Sequence, residues 1–270
     1  MTSSTEWAGD ASGEPRRSFG EWAVEHGEIV YALARRDIET RFSQNAFGYS
    51  WTYIAPLLWI AGTYAFFYFL GRNSPVYTDL LTFIISGLIP FVAFRYTVNA
   101  MGRVNGAART LLIFPTVSRE HIAVAGALVE YANIFVLAAV IMAANYFVFG
   151  NWELESAPVW VGGLTLAWLL GAGYGYFFSV LSRTDATVFQ FGVILLRPSY
   201  FISGVFFTPN ELRGDILALF SWNPLLHAIE ISRDGMLFHY QSRVDDPMYV
   251  VVCIVVLFAA GLVIRALRPT

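Results

Sequence analysis

Residues 248–267 read MYVVVCIVVLFAAGLVIRAL, twenty positions with a single charge, Arg265, close to the end. A helix rises about 1.5 Å per residue, so such a stretch covers the roughly 30 Å hydrocarbon core of a bilayer. A helix apolar on every side belongs in lipid rather than on the surface of a soluble domain. Five stretches upstream meet the same criterion, at 51–70, 80–100, 122–149, 159–181 and 188–207. The expectation is an all-α integral membrane fold with six transmembrane helices. Pro56 and Pro90 fall inside two of the stretches, where neighbouring helices can absorb the lost backbone bond.

Composition agrees with the hydropathy. Of 270 residues, 56% are hydrophobic, 17% aromatic and 14% charged, against about 25% charged in soluble domains. The net charge of -3 comes without a basic patch, which argues against a nucleic-acid partner. All 17 cationic residues are arginine. A phosphate-binding P-loop needs a lysine, so this chain binds no ATP by that motif, and no cofactor is expected on it. The one cysteine, Cys253, sits in an apolar run and reads as a small buried hydrophobe.

Arginine placement sets the orientation. With the N-terminus cytoplasmic, that side holds Arg16, Arg17, Arg35, Arg36, Arg41, Arg103, Arg109, Arg119, Arg183, Arg265 and Arg268, and the far side holds Arg72, Arg213, Arg233 and Arg243. Positive charge stays inside. Six crossings return the C-terminus to the cytoplasm, and the polar start has no apolar core of a cleavable signal. The expected organisation is a disordered tail at 1–19 followed by one membrane domain at 20–270.

Three segments outside the spans carry functional expectations. Residues 20–42 form a helix with Trp22, Ile29 and Leu33 on one face, Tyr31, Ile38 and Phe42 on roughly the other, and Arg35, Arg36, Asp37, Glu39 and Arg41 between. It is too charged to cross and apolar enough to lie amphipathically in the interface, either as a simple anchor or wedged against a soluble partner. Between the second and third spans, 106–114 (GAARTLLIF) closed by Pro115 has room for one short helix with an apolar tip at Leu111, Leu112, Ile113 and Phe114. Such a tip wants a partner or folds back on its own domain. Before the last span, two helices at 210–220 and 224–237 are each too short to cross and too apolar for a free loop, with Asn223 placed as a cap and Pro224 at the first position. They read as a re-entrant hairpin, tolerated where protein buries it or a cavity wets it.

Within the spans, Arg95, Glu130 and Arg197 are costly enough to suggest function. Arg95 and Glu130 lie at similar depth and could form an ion pair or line a route. Arg197 shares its depth with no acid and is assigned to a cavity. Tyr174 and Tyr176 sit mid-helix, where an interfacial aromatic belt does not explain them, and with Tyr200 and Phe201 they could stack on sugar rings.

Several blocks match one family: 35–42 (RRDIETRF), 48–51 (GYSW), 87–91 (GLIPF), 125–130 (AGALVE), 197–207 (RPSYFISGVFF) and 222–230 (WNPLLHAIE). From about Glu28 to the end, the chain resembles the ABC-2 type permeases that export capsular polysaccharide, with O-antigen and teichoic acid exporters as relatives. The resemblance implies a bacterial inner-membrane homodimer exporting a lipid-linked polysaccharide, with two ATP-binding cassette subunits docked below that bind ATP and magnesium. Periplasmic and outer-membrane export proteins are implied as further partners. It also implies an interface helix at 28–42 and a coupling helix at 106–116, which assigns Arg35, Arg36, Arg41, Arg109 and the tip from Leu111 to Pro115 to ATPase coupling. A periplasmic gate is implied at 209–237, with Trp222, Asn223, Pro224, His227 and Glu230. The alternatives are an exporter of another amphiphile, a passive channel, or a membrane transferase using His227, Glu230, Asp245 and Asp246.

Overall fold

The computed structural model describes residues 19–43 and 48–267. The tail expected at 1–19 falls, except for Phe19, outside the described residues, as do Arg16, Arg17, Arg268 and the side chain of Trp22. Nine α-helices follow one another in the described residues: α1 (Phe19–Ser43), α2 (Trp51–Phe69), α3 (Leu80–Leu111), α4 (Arg119–Phe149), α5 (Ala157–Leu181), α6 (Ala186–Ile202), α7 (Gly214–Phe220), α8 (Pro224–Met236) and α9 (Pro247–Leu267). Five of the membrane stretches are long and apolar enough to cross, and α6 is a shorter apolar helix.

The centre of the bundle is α3, buried almost continuously from Thr82 to Met101. It starts where Asp79 accepts hydrogen bonds from the Thr82 amide (3.0 Å) and hydroxyl (2.5 Å), a side-chain cap of the first turn. Its 32 residues make about 48 Å of helix, more than one crossing of the bilayer needs. This corrects the expected short helix at 106–114. Gly106 does not break the helix, and the segment up to Leu111 is the last turns of α3.

α5 packs on α3 and α8 through small residues. A Cβ at Gly171 would stand 2.5 Å from the Phe94 carbonyl oxygen, and one at Gly235 of α8 would stand 2.2 Å from the Trp160 nitrogen. In lipid the helices gain little from hydrophobic transfer, and close backbone approach supplies the van der Waals contact instead. This is how α8, expected as half of a re-entrant hairpin, comes to lie inside the bundle with nearly every residue from Leu225 to Met236 buried. α7 has no buried residue.

The span expected at 188–207 is also corrected. α6 stops at Ile202, after 17 residues or about 26 Å, because Gly204 adopts a left-handed φ of 78° that interrupts the helix. Residues 203–207 continue without helix.

α1 lies along α4, with His26 and His121 edge to face at 4.9 Å and Leu33 against the core formed by Met101, Val104 and Leu111. The end of α9 returns to the same end of the bundle as the start of α4, where Arg265 meets Glu120 at 2.8 Å.

Because the α5–α8 seam has no room for a side chain, Gly235→Leu is expected to destabilise the purified protein by about 3 kcal/mol. Thermal unfolding in nanodiscs measures it, and an unchanged midpoint would refute the close approach.

Candidate functional site

Aromatic side chains of α2, α3 and α6 build one continuous wall. The Tyr200 ring lies 4.8 Å from Trp59, 4.9 Å from Phe91 and 4.6 Å from Phe206, and Phe206 lies 5.2 Å from Phe67. Between α2 and α6 this wall opens into a groove of about 670 Å³, whose rim includes Phe66, Phe201 and Arg72. Thr63 and Tyr200 place their hydroxyls 3.3 Å apart within it. The groove offers flat apolar faces with hydroxyls at their edges, a surface that fits the apolar faces and hydroxyl rims of sugar rings.

Arg95 borders this wall. The Arg95 guanidinium sits 4.9 Å above the Trp59 ring, a cation–π contact. Arg197 is exposed on α6. At 100° per residue it points between Tyr200 and Phe201, one turn deeper on the same face. Of the residues assigned to the pathway, Tyr200 and Phe201 line the groove and Arg95 touches it through Trp59, while Arg197 lies outside its lining.

Tyr174 and Tyr176 are a correction. The Tyr174 hydroxyl donates to the Gly192 carbonyl at 2.9 Å and its ring packs on Phe94 and Phe178. It borders a separate apolar cavity of about 500 Å³ between α5, α6 and α9. Tyr176 packs against Phe258, with its hydroxyl buried and unpartnered among the described residues. Neither lines the aromatic groove.

Glu130 is the second correction. It does not meet Arg95; its Oε1 accepts from Arg41 at 2.8 Å and from Arg103 at 2.9 Å. Arg41 also holds Asp37 at 2.6 Å. The Asn133 amide donates to Glu130 Oε2 at 3.4 Å, and its oxygen accepts from Tyr49 (2.5 Å) and Tyr53 (3.1 Å). Two cations on one buried carboxylate tie α1 and α3 to α4. Arg41, expected to face the ATPase, is turned inward by this network, while Arg35, paired with Glu39 at 2.8 Å, and Arg36 remain exposed.

At the same end of the bundle, Ile113 and Phe114 are 78% and 58% exposed on the turn after α3, beside exposed Leu112 and Pro115. Leu111 was expected in that tip and is buried against Val104 and Ala108 instead. Next to the tip a cavity of about 510 Å³ is lined by Arg109, Arg119 and Arg183. Asn105 bridges α3 to the end of α5 by donating to the Ser179 carbonyl at 2.8 Å, and accepts from Arg119 at 3.3 Å.

At the opposite end, Asn223 caps α8 as expected, accepting from the Leu225 amide at 3.0 Å with Pro224 following in the first turn. Its amide donates to Ser203 Oγ at 2.8 Å. Trp222 is 80% exposed. His227 and Glu230, expected at a gate surface, are buried. His227 Nδ1 accepts from the Asp246 amide at 3.2 Å, which leaves Nε2 as donor to the Ser221 carbonyl at 2.8 Å. Glu230 pairs with Arg233 and accepts from Tyr240 at 2.6 Å and Ser242 at 2.8 Å. Asp246 caps α9 through the Met248 and Tyr249 amides. Among the described residues, His227, Glu230 and Asp246 of the candidate transferase cluster are thus committed to packing and caps.

Arg233 is the residue that sequence reading missed. The charge count groups it with the far-side arginines, yet it is fully buried. The signal was the i,i+3 spacing to Glu230 on one short amphipathic helix.

The family profile described as ABC-2 type transporter matches residues 28–237. The chain is 30% identical over 247 residues to the polysialic acid transport protein KpsM of Escherichia coli, which covers 88% of this chain and 93% of that protein. It is 26% identical over 260 residues to the capsule polysaccharide export inner-membrane protein CtrC of Neisseria meningitidis, 93% of this chain and 95% of the relative. It is 24% identical over 259 residues to the capsule polysaccharide export inner-membrane protein BexB of Haemophilus influenzae, at 92% and 94%.

Removing the carboxylate by Glu130→Leu leaves two cations facing a buried site and is expected to cost about 3 kcal/mol. Replacing Arg41 and Arg103 with Met in that background should recover most of the loss, as read by thermal unfolding in nanodiscs. A triple variant no more stable than Glu130→Leu would refute the ion triad.

Proposed function

Because this chain belongs to the ABC-2 type transporter family, we propose that it is the permease of an ATP-driven exporter that carries lipid-linked capsular polysaccharide across the bacterial inner membrane. The observation that carries the reading is the groove between α2 and α6. It combines stacked aromatics and hydroxyls with Arg72 at its rim and Arg95 stacked on Trp59, and it suits a long chain of sugar rings held weakly at many points. The names of the relatives, polysialic acid transport and capsule polysaccharide export, favour capsular polymer over O-antigen or teichoic acid.

The groove is open on one side, and a second copy of the chain closes it into a passage. Two ATPase subunits dock beneath, bind ATP and magnesium, and supply the energy. This chain is the transport subunit and, lacking lysine, has no P-loop of its own. The exposed turn from Leu112 to Pro115 enters the ATPase, with Arg109, Arg35 and Arg36 flanking it. Its motion passes directly into α3, because the turn is the continuation of that helix. Both termini lie on the ATPase side. At the far end, α7 and the exposed Trp222 form the gate toward the periplasmic and outer-membrane export proteins.

In a complex reconstituted with its ATPase, Leu112→Asp with Phe114→Asp is expected to lower polymer export about tenfold or more, while the permease still folds and dimerises. Export at the unmodified rate would reject this turn as the coupling element. Tyr200→Ala should slow export with ATP hydrolysis retained, and undiminished export would reject the aromatic groove as the route.

A further inference from the structure

The carbonyls at and beyond the end of α6 have lost their helical partners and need donors from elsewhere. Three side chains supply donors. Asn223 reaches the Ile202 carbonyl at 3.4 Å, Arg72 the Phe206 carbonyl at 2.5 Å, and Arg233 both the Gly204 carbonyl at 2.8 Å and the Phe207 carbonyl at 3.4 Å.

Arg233 differs from the other two in being fully buried. Its Nε donates to Ser86 Oγ of α3 at 3.1 Å, its guanidinium lies 4.7 Å over the Phe83 ring, and Nη1 pairs with Glu230. One planar group thus joins α3, α8 and the irregular segment 203–207. The surface of α3 is shaped for it. A Cβ at Gly87 would fall 2.5 Å from Arg233 Nη2 and 3.0 Å from Val205 Cα.

We infer that Arg233 is a positioning residue that locks the non-helical end of α6 to α3 and α8, and so holds Phe206 in the outer wall of the groove. The forked geometry is essential. A lysine keeps a positive charge facing Glu230 but cannot reach Ser86 and two carbonyls together. α8 and the end of α6 then behave as one body with α3, and the segment that remains free to move is α7, which has no buried residue.

The test separates this lock from a general stabilising role. In a Cys253→Ala background, single reporter cysteines replace Val205 in the locked segment or Ala228 in α8, both fully buried. A membrane-impermeant maleimide is added to the full complex in nanodiscs, where both faces are accessible. Arg233→Lys is expected to raise labelling at position 205 about tenfold while leaving position 228 protected. Gly87→Ala keeps every charge and displaces only the guanidinium and the Val205 backbone. It should give the same pattern, and it carries the test if Arg233→Lys fails to fold. Acceleration at both positions would make Arg233 a mere prop of the bundle, and acceleration at neither would remove the lock; either result overturns the inference.

The consequence for export rests on the transport reading above, with polymer export falling while ATP hydrolysis persists. Selective labelling at 205 with unchanged export would support the lock and count against the groove as the route, so the two readings fail separately.

Discussion

A backbone carbonyl released from a helix needs another donor, and this fold gathers several such donors at one place. α6 ends early, and the missing turn is replaced by side chains arriving from the loop after α2, from the cap of α8 and from the interior of α8. An irregular segment inside a membrane domain therefore requires α8 to be buried beside it. Burial of α8 in turn requires glycines at the α5–α8 seam, because the carbonyls and their donors come within reach only if the helix backbones nearly touch. The early stop of α6, the buried helix and the small residues of α5 are one constraint expressed three times.

The other end of the bundle solves a different problem by similar means. α1 carries five charges between residues 35 and 41 and cannot enter the membrane, yet it must be held firmly if it is to pass on force. Glu130 supplies the tie. A carboxylate buried on α4 is stable because two arginines share one of its oxygens and Asn133 meets the other. A buried charge of this kind contributes little net stability when fully paired and costs several kcal/mol when a partner is lost. It therefore fixes which helices adjoin more than how strongly they do so.

α3 connects the two ends. It touches the Arg233 cluster through Ser86 and Phe83, bears Arg95 against Trp59 at the groove, reaches Glu130 through Arg103 and ends in the exposed turn. The exposed turn, the Glu130 tie, the groove contact and the outer cluster therefore all attach to one packed helix.

The sequence by itself determined where the chain enters lipid, because desolvating an apolar or charged side chain is a local cost that depends little on neighbours. The apolar helices, the charged helix before the first of them and the cap at Asn223 were legible for that reason. Pairing was not. Arg95 and Glu130 match in depth, but Arg103 lies eight residues further along α3, about 80° around its axis, and that rotation decides which arginine meets the acid. Tyr174 and Tyr176 share a helix with room on several sides, and only the positions of α6 and α9 turn them away from the groove. The burial of Arg233 was decided by tertiary structure alone, since its ligands come from three segments as much as 147 residues apart, and their meeting is set by how closely the helices pack.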